Sequence, residues 1–384
     1  MGLGNQDSSI DNDLGQLINS RLSYMKDVAA YKWINGIEIE DLVREQKVIA
    51  AAQASGLQEK LTLDSSRLFF TVQIDAAKEI QRYWFEQWKQ GSAPKQAPDL
   101  VKDVRPKLIE IGNNIVRALG QTEPLTKLAM PGLSIETARR LETAARSVKF
   151  YPNQLDQILD SQQLRVGTTL DYAPFSYEKG GEATGIDVNL AAELATTLGV
   201  ELVLVKTSWP TLMTDLKTGK FDIGMSGISI NLDRQKSAFF SLPHHTGGKT
   251  AISRCDQVNR FDDLTKINHP TTHVIVNPGG TNQGFVNASL KQATVIVHPD
   301  NRTIFDEIIQ GRADVMVTDA IEVQLQSALH PELCAATPDK TFTFQQKAFL
   351  LPRDQVWKQF VDSWLTQRQG EGVIKNVFTQ HLTN

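Results

Sequence analysis

The pattern of apolar and polar positions changes near the middle of the chain. Residues 10–147 place apolar side chains at the three- and four-residue spacing of amphipathic helices, with almost no strand-like alternation. This pattern predicts an all-α first half. The predicted helices cover about 10–34, 39–56, 62–90, 99–119 and 134–147, and the loop over 91–98 is rich in helix breakers.

From about residue 163, short β-branched runs alternate with helical patterns. Such alternation is typical of an α/β fold with a largely parallel sheet. Strands are predicted at 164–169, 200–205, 221–225, 250–253, 273–276, 294–298 and 314–318, and a helix at 186–198. The chain therefore divides into a disordered tail (1–9), an all-helical domain (10–147), a linker (148–153) and an α/β domain (154–384).

Composition narrows the classes of function. The 384 residues carry a net charge of -4, which argues against a nucleic-acid partner. No apolar run approaches the roughly 18 residues that cross a bilayer, so no membrane partner is expected. The start of the chain lacks a basic region followed by an apolar one, so it is not expected to be a signal peptide. Cys255 and Cys334 are too few for a zinc site, and they form either one disulfide or two buried thiols.

Cations and polar groups fall at helical spacings in the first half. Arg21 and Lys32 are eleven residues apart, which places them on one face of a continuous helix. A single Lys or Arg is usually a surface charge, but Lys32 lies in an apolar segment. The candidate residues of this half are Arg21, Lys32, Asp41, Arg44, Glu45, Gln81 and Arg105.

On segments 20–22, 29–33, 39–45 and 73–81 and on Arg105, this half resembles the exported (gamma) subclass of all-helical chorismate mutases. These enzymes rearrange chorismate to prephenate in one step that needs no base, nucleophile or metal, so the site must hold a compact dianion. The resemblance implies that Arg21, Arg44 and Arg105 bind the two carboxylates and that Lys32 and Gln81 donate to the ether oxygen. It also implies that Glu45, with the Asp41 backbone, binds the hydroxyl.

Three positions depart from that subclass. Ala77 stands where some members have Thr, Gln81 where some have Glu, and Val48 where relatives can be polar. An amide donates a hydrogen bond at any pH, whereas a carboxyl must first be protonated. We therefore expect little acid dependence from position 81.

In the second half, small and polar residues follow four strands. Ligands of open α/β sheets bind beyond the carboxyl ends of strands, which is where these small and polar residues lie. Neither a dinucleotide fingerprint nor a P-loop is present. The layout resembles a two-lobed (type II) periplasmic solute-binding protein of the amino-acid type, which implies lobe 1 at about 163–250 and 347–383 and lobe 2 at about 251–346.

The resemblance narrows to cyclohexadienyl dehydratase on segments 207–210, 225–231, 276–282, 298–301, 318–322 and 329–334. That family converts prephenate to phenylpyruvate and often arogenate to phenylalanine. The resemblance implies Glu322 as the general acid, a role that requires burial to keep the carboxyl protonated. It further implies that Asn277 orients substrate, that Arg234, Thr281 and Ser226 hold a carboxylate, that Asp319 meets an α-amino group, and that Asp171 and Trp209 line the pocket.

These resemblances predict a bifunctional enzyme of phenylalanine biosynthesis, without cofactor or metal, acting on chorismate, prephenate and arogenate. The spacing of His244, His245 and His298 matches no metal motif, so surface or loop positions are expected. Export to the periplasm and a homo-oligomer, in the first instance a dimer, are expected from the families resembled. Two alternatives stay open: a binding protein for an aromatic or anionic solute with a helical docking module, and a dehydratase joined to an inactive mutase.

Overall fold

The computed structural model describes residues 13–119 and 125–382. The chain forms two compact units, 1–152 and 153–384. The tail predicted over 1–9 lies outside the described residues. Among the residues described, no helix is both long enough and apolar enough to span a bilayer.

The first unit is helical, as its periodicity predicts. Its core is formed by buried residues of all its helices, including Ile18, Leu22, Phe69 and Ile115. The helices are α1 (Leu14–Ser23), α2 (Met25–Ile34), α3 (Leu42–Gln58), α4 (Leu63–Lys89), α5 (Arg105–Ala118) and α6 (Ile135–Arg146), with a π-helical turn at Leu100–Val104 before α5.

The predicted continuous helix over 10–34 is wrong, because it divides at Tyr24. The Ser23 hydroxyl donates to the Ser20 carbonyl at 2.7 Å. The Tyr24 N–H turns to the Leu22 carbonyl. A serine side chain that competes for a backbone carbonyl in this way locally disrupts a helix.

Residues 148–152 belong to the first unit. Thr62 N–H donates to the Lys149 carbonyl at 3.0 Å and Tyr151 N–H donates to the Lys60 carbonyl at 2.8 Å. Leu61 and Phe150 form an isolated antiparallel bridge. Most of the segment predicted as a linker is thus paired with the turn between α3 and α4.

The second unit is an α/β unit. Its helices are α7 (Gln154–Ser161), α8 (Ile186–Leu198), α9 (Leu212–Lys217), α10 (Leu232–Gln235), α11 (Leu264–Ile267), α12 (Thr281–Ser289), α13 (Ile304–Ile309), α14 (Ala320–Leu329), α15 (Gln355–Gly370) and α16 (Val373–Leu382). Its strands are β1 (Gln163–Thr168), β2 (Asp171–Tyr172), β3 (Ser176–Lys179), β4 (Glu182–Thr184), β5 (Glu201–Lys206), β6 (Ile223–Gly224), β7 (Phe239–Phe240), β8 (His245–Gly247), β9 (Lys249–Arg254), β10 (His273–Val276), β11 (Thr294–Val297), β12 (Val315–Asp319), β13 (Leu333–Ala335), β14 (Gln345–Lys347) and β15 (Leu350–Leu351).

Two five-stranded sheets form the two lobes of this unit. Their strand orders are β5-β1-β6-β15-β7 and β11-β10-β12-β9-β13. In each sheet three strands pair in parallel, and two further strands join antiparallel at one side. The largely parallel sheet of the prediction is therefore mixed.

The chain passes between the lobes at β8 and β14, which pair with each other. The whole of β9 belongs to the second sheet, so this lobe begins at Lys249, two residues before the predicted boundary. Cys255 and Cys334 form a disulfide within this lobe. The structure thus decides between the two states of the cysteines that the sequence left open.

Candidate active sites

The helical unit encloses a cavity of about 290 Å³. Its walls come from α1 to α5, and apolar side chains such as Val48, Phe70 and Ala77 make up much of the lining. The structure brings together in this lining all seven polar residues that the sequence singled out: Arg21, Lys32, Asp41, Arg44, Glu45, Gln81 and Arg105.

The cations of this cavity are arranged so that they favour the binding of an anion. Arg21 is buried, and burial together with the nearby Arg44 lowers the pKa of its guanidinium to about 10. The Arg21 Nε finds no hydrogen-bond partner in the described part of the chain. Burial also lowers the pKa of Lys32, partly offset by Asp41 and Glu45. Since like charges crowd here without full compensation, a bound dianion would relieve both repulsion and desolvation.

Hydrogen bonds to the backbone fix the orientation of the remaining polar side chains. Lys32 Nζ donates to the Ile39 carbonyl at 2.7 Å. Gln81 Nε2 donates to the Ala77 carbonyl at 3.1 Å, one turn earlier on α4, and its buried Oε1 has no partner among the described residues. Asp41 caps α3 by accepting the Arg44 N–H at 2.9 Å, so its side chain serves the helix start.

Sequence reasoning missed Lys78, which also lines the cavity. Its Nζ lies 3.1 Å from Glu45 Oε2 and 3.5 Å from Glu40 Oε1. Although burial opposes it, the hydrogen bond and charge of Glu45 raise the pKa of Lys78. The pairing holds the Glu45 carboxylate, and no spacing along the chain connects the two residues.

A second cavity, of about 20 Å³, lies between the two lobes of the α/β unit. This volume holds about one water molecule, so the lobes must separate to admit a larger ligand. Of the residues that the sequence singled out, Trp209, Arg234, Asn277, Thr281 and Asp319 line it. Tyr172, Ser229, Asn282, Asn301 and Lys347 line it as well and were not foreseen.

Three expected site residues lie outside that lining. Asp171 accepts a hydrogen bond from Trp209 Nε1 at 3.2 Å, and burial raises the pKa of its carboxyl. Ser226 is fully buried and pairs with the Thr169 hydroxyl at 2.7 Å. Glu322 is 2% exposed and reaches the cavity through other side chains.

The loop after β6 approaches the site closely because it contains Gly227. Its φ is +63°, and a Cβ there would lie 2.6 Å from both the Phe175 and the Tyr172 rings. The Gly227 N–H donates to Asp187 Oδ2 at 2.6 Å. Only glycine meets both demands, which fixes the wall of the cavity that carries Ser229.

Arg234 offers an unfilled guanidinium. Arg234 lies in α10. The side chain of Asn231, which caps the start of this helix, accepts a hydrogen bond from the Arg234 N–H at 3.3 Å. Burial lowers the pKa of Arg234, and its buried Nη1 has no partner within the described ranges. A guanidinium with a free edge facing a cavity is suited to a carboxylate.

Asp319 lies at the end of β12, among cations. Its Oδ1 is 3.3 Å from Lys249 Nζ and its Oδ2 is 2.6 Å from Lys347 Nζ. The Tyr172 hydroxyl donates to Oδ2 at 2.5 Å. Burial alone would raise the pKa of Asp319, but the two ammonium groups hold it well below its usual range. Both carboxylate oxygens are therefore engaged before any ligand arrives.

Glu322, in the first turn of α14, has the opposite character. Burial raises the pKa of its carboxyl to about 8, the Thr318 hydrogen bond opposes this, and the Asp319 charge adds to it. Thr318 Oγ1 donates to Glu322 Oε2 at 2.5 Å, and Asn282 Nδ2 donates to Thr318 Oγ1 at 2.9 Å. Asn282 also lies 3.4 Å from Asn277 Oδ1, which links the acid to the cavity. A carboxyl that is protonated at neutral pH can act as a general acid.

No cluster of three His, Cys, Asp or Glu side chains placed to hold a metal occurs among the described residues. His244 lies in the loop before β8, one of the two positions expected for it, but its side chain is fully buried rather than on the surface. It stacks on Phe349 at 4.7 Å between ring centroids, and its Nε2 lies 3.6 Å from Asp187 Oδ1.

Two protein-family models match separate parts of the chain. The model for bacterial extracellular solute-binding proteins, family 3, matches residues 164–384. The model for chorismate mutase type II matches residues 5–82.

Individual proteins within these families are similar to separate parts of the chain. A cyclohexadienyl dehydratase of Pseudomonas aeruginosa is 53% identical over 234 residues, covering 60% of this chain and 87% of the relative. A secreted chorismate mutase of Yersinia pestis is 38% identical over 116 residues, covering 30% of this chain and 62% of that relative. The crystal structure of an ancestral amino acid-binding protein, described as a precursor of cyclohexadienyl dehydratase, superposes with a TM-score of 0.56 at 33% identity, over 59% of this chain and 99% of that one. The chain therefore belongs to family 3 of the bacterial extracellular solute-binding proteins and, within it, to the family of the cyclohexadienyl dehydratases, while its helical part is similar to type II chorismate mutases.

Proposed function

We propose that this chain carries out two consecutive steps of phenylalanine biosynthesis. The helical unit converts chorismate to prephenate, and the α/β unit converts prephenate to phenylpyruvate. One observation carries the second step: Glu322 is a buried carboxyl with its pKa raised to about 8, tied by hydrogen bonds to the cavity between the lobes. A receptor that only binds its ligand has no need of such an acid.

In the first step the enzyme supplies geometry and charge alone. Arg21, Arg44 and Arg105 would hold the two carboxylates of chorismate in the compact conformer that rearranges. Lys32 and the Gln81 amide would donate to the ether oxygen as negative charge develops on it. Glu45, held by Lys78, would accept the substrate hydroxyl.

The second step consumes one proton from an acid of the enzyme. Prephenate loses its ring carboxylate as carbon dioxide, the electron pair of that bond enters the ring, and the ring hydroxyl leaves. Glu322 would donate the proton that turns the leaving hydroxide into water, so the ring becomes aromatic. Arg234 and Thr281 would hold the carboxylate that remains, and Asn277 would orient the ring.

Chorismate given to wild type and to Glu322→Gln tests both steps at once, with chorismate, prephenate and phenylpyruvate followed together. Wild type should form phenylpyruvate. The variant should stop at prephenate, with dehydration slowed at least about 100-fold by loss of the acid. Arg44→Ala is the matched control, because it should block chorismate loss and leave added prephenate reactive. Binding of an amino acid without turnover of either substrate would favour the solute-binding alternative.

Arogenate is proposed as a second, weaker substrate. It carries an α-ammonium where prephenate has an oxo group, and Asp319 is the carboxylate that could receive it. Asp319 is already paired with Lys249 and Lys347, so the ammonium must displace one of them. We expect a lower kcat/KM for arogenate than for prephenate in the same dehydration assay.

We propose that the protein is exported, since its relatives include a secreted chorismate mutase and the extracellular solute-binding proteins. We place it in the periplasm, where a disulfide such as Cys255–Cys334 persists. We also propose a homodimer, which the exposed apolar side chains of Leu68 and Ile135 on the helical unit support. Light scattering of the purified chain measures this directly, and a monomeric mass at micromolar concentration would refute it.

A further inference from the structure

Asp319 is the only acidic group in contact with two buried ammonium groups within the described residues. Lys249 is fully buried and also contacts Thr281, at 3.2 Å. Lys347 is 4% exposed and also donates to Ser229 at 3.0 Å. The three charges sum to +1, in a place from which water is nearly excluded. A buried charge is tolerated only when it is paired, so Asp319 is what allows both lysines to stay there.

Glu322 follows Asp319 by three residues, which places both at the start of α14 on the same side. Its charged and titratable neighbours come from every element packed around it. They are Asp319 at the end of β12, Lys249 on β9, Lys347 on β14 and Tyr172 on β2, while Thr318 donates directly to it. The two ammonium groups favour the charged form of Glu322, and Asp319 favours the neutral form.

We infer that Asp319 acts chiefly as a positioning residue that neutralises Lys249 and Lys347, so that Glu322 keeps the proton it must donate. Its two oxygens already accept from the lysines and from the Tyr172 hydroxyl, so a substrate amino group would have to displace one of these donors. The lysines in turn hold Thr281 and Ser229 at the cavity. This inference deepens the proposed dehydration and rests on it.

The test is the pH dependence of kcat/KM for prephenate, with the uncatalysed reaction subtracted. Activity should be lost on the alkaline side as Glu322 loses its proton. In Asp319→Asn two ammonium groups face Glu322 without compensation, so this alkaline limb should move to lower pH by about one unit or more. In Lys249→Met one ammonium is gone, and the limb should move to higher pH.

The double variant Asp319→Asn with Lys249→Met restores the original local charge, and its limb should return towards that of wild type. If Asp319→Asn does not fold, the pH profiles of the double variant and of the single variant Lys249→Met still test the inference. Asp262→Asn is the matched control, because Asp262 pairs with Lys266 at 2.7 Å on the exposed surface of the same lobe. Its profile should coincide with that of wild type.

Two results would overturn the inference. One is an alkaline limb in Asp319→Asn that stays where it is while KM for arogenate alone rises, as expected if Asp319 only binds a substrate amino group. The other is a shift of the same sign in Asp319→Asn and Lys249→Met. Failure of wild type to convert prephenate at all would instead refute the proposed dehydration.

Discussion

We predict that the amide of Gln81 determines how the helical site responds to pH. Because an amide donates at any pH and a carboxyl only when protonated, Gln81→Glu should make chorismate turnover acid-dependent. We predict that kcat/KM of this variant falls about 100-fold as pH rises from about 5 to 8, the typical cost of losing one donor to a developing charge. Wild type should stay nearly flat over the same range. The rate of chorismate loss measures both profiles.

Gln81→Met is the control for this prediction, since it keeps the length of the side chain and removes the donor. It should be slow at every pH. If Gln81→Glu also gave a flat profile, Gln81 would not donate to the reacting oxygen.

The sequence identified side chains that belong to local motifs and missed those that meet only through the fold. Asp41, Arg44 and Glu45 stand at a spacing that a helix brings to one face, and the other four polar residues of the helical cavity came from the motifs of the resembled family. The structure places all seven in the lining. Lys249, Lys347 and Lys78 carry no such signal. Each is paired with an acid far away in the chain, so its burial and charge state depend on tertiary contacts.

Between elements, the fold brings a buried acid next to a buried histidine. Asp187, in the first turn of α8, accepts the Gly227 N–H and faces His244, next to β8. Burial raises the pKa of Asp187 to about 7 and lowers that of His244 to about 3, so the folded pair carries one proton between these values. In the unfolded chain, where the two side chains have their ordinary pKa values of 3.8 and 6.5, the pair also carries one proton between these values. The pair therefore adds no slope to stability over that window.

Asp187→Asn should create such a slope. The amide imitates a neutral carboxyl, so the bond from Gly227 can persist, while His244 alone now titrates. Below pH 6.5 the unfolded His244 takes up a proton that the folded one refuses until about pH 3. The free energy of unfolding of the variant, relative to wild type, should fall by about 1.4 kcal/mol per pH unit as the pH is lowered from 6.5 to 3.8. Urea unfolding at several pH values measures the difference, and a constant difference would contradict this protonation state.

Helices and strands were predictable to different degrees. The five helical stretches and the longer strands follow from periodicity, because each buries a face of several residues. The division at Tyr24 depends on one hydroxyl of Ser23 and leaves the hydrophobic pattern unbroken. The strand predicted at 221–225 is present as the short β6, whereas β7 and β15 are two residues long, too short to show a period of two. The strand β15 also joins the sheet from a distant part of the chain.

At the scale of the molecule, each unit has a core of its own. The helical unit is built around residues such as Leu22 and Phe69, and the α/β unit around separate clusters that include Trp357 and Val274. The Cys255–Cys334 disulfide closes a loop inside one lobe. Because each core forms within one unit, we expect residues 1–152 and 153–384 to fold as separate chains.

Separation of the two units at Pro152 and Asn153 should leave both activities intact. We predict that kcat/KM for chorismate and for prephenate each stay within about twofold of the intact chain, since no predicted site residue of one unit lies in the other. We also predict an equal lag in phenylpyruvate formation for the intact chain and for an equimolar mixture. At a tethered concentration of about 1 mM and a kcat/KM of about 10⁶ M⁻¹s⁻¹, capture takes about a millisecond, and prephenate diffuses away much sooner. A stopped-flow comparison of the two lags from chorismate is the measurement, and a shorter lag in the intact chain would mean that prephenate passes between the sites without mixing with solvent.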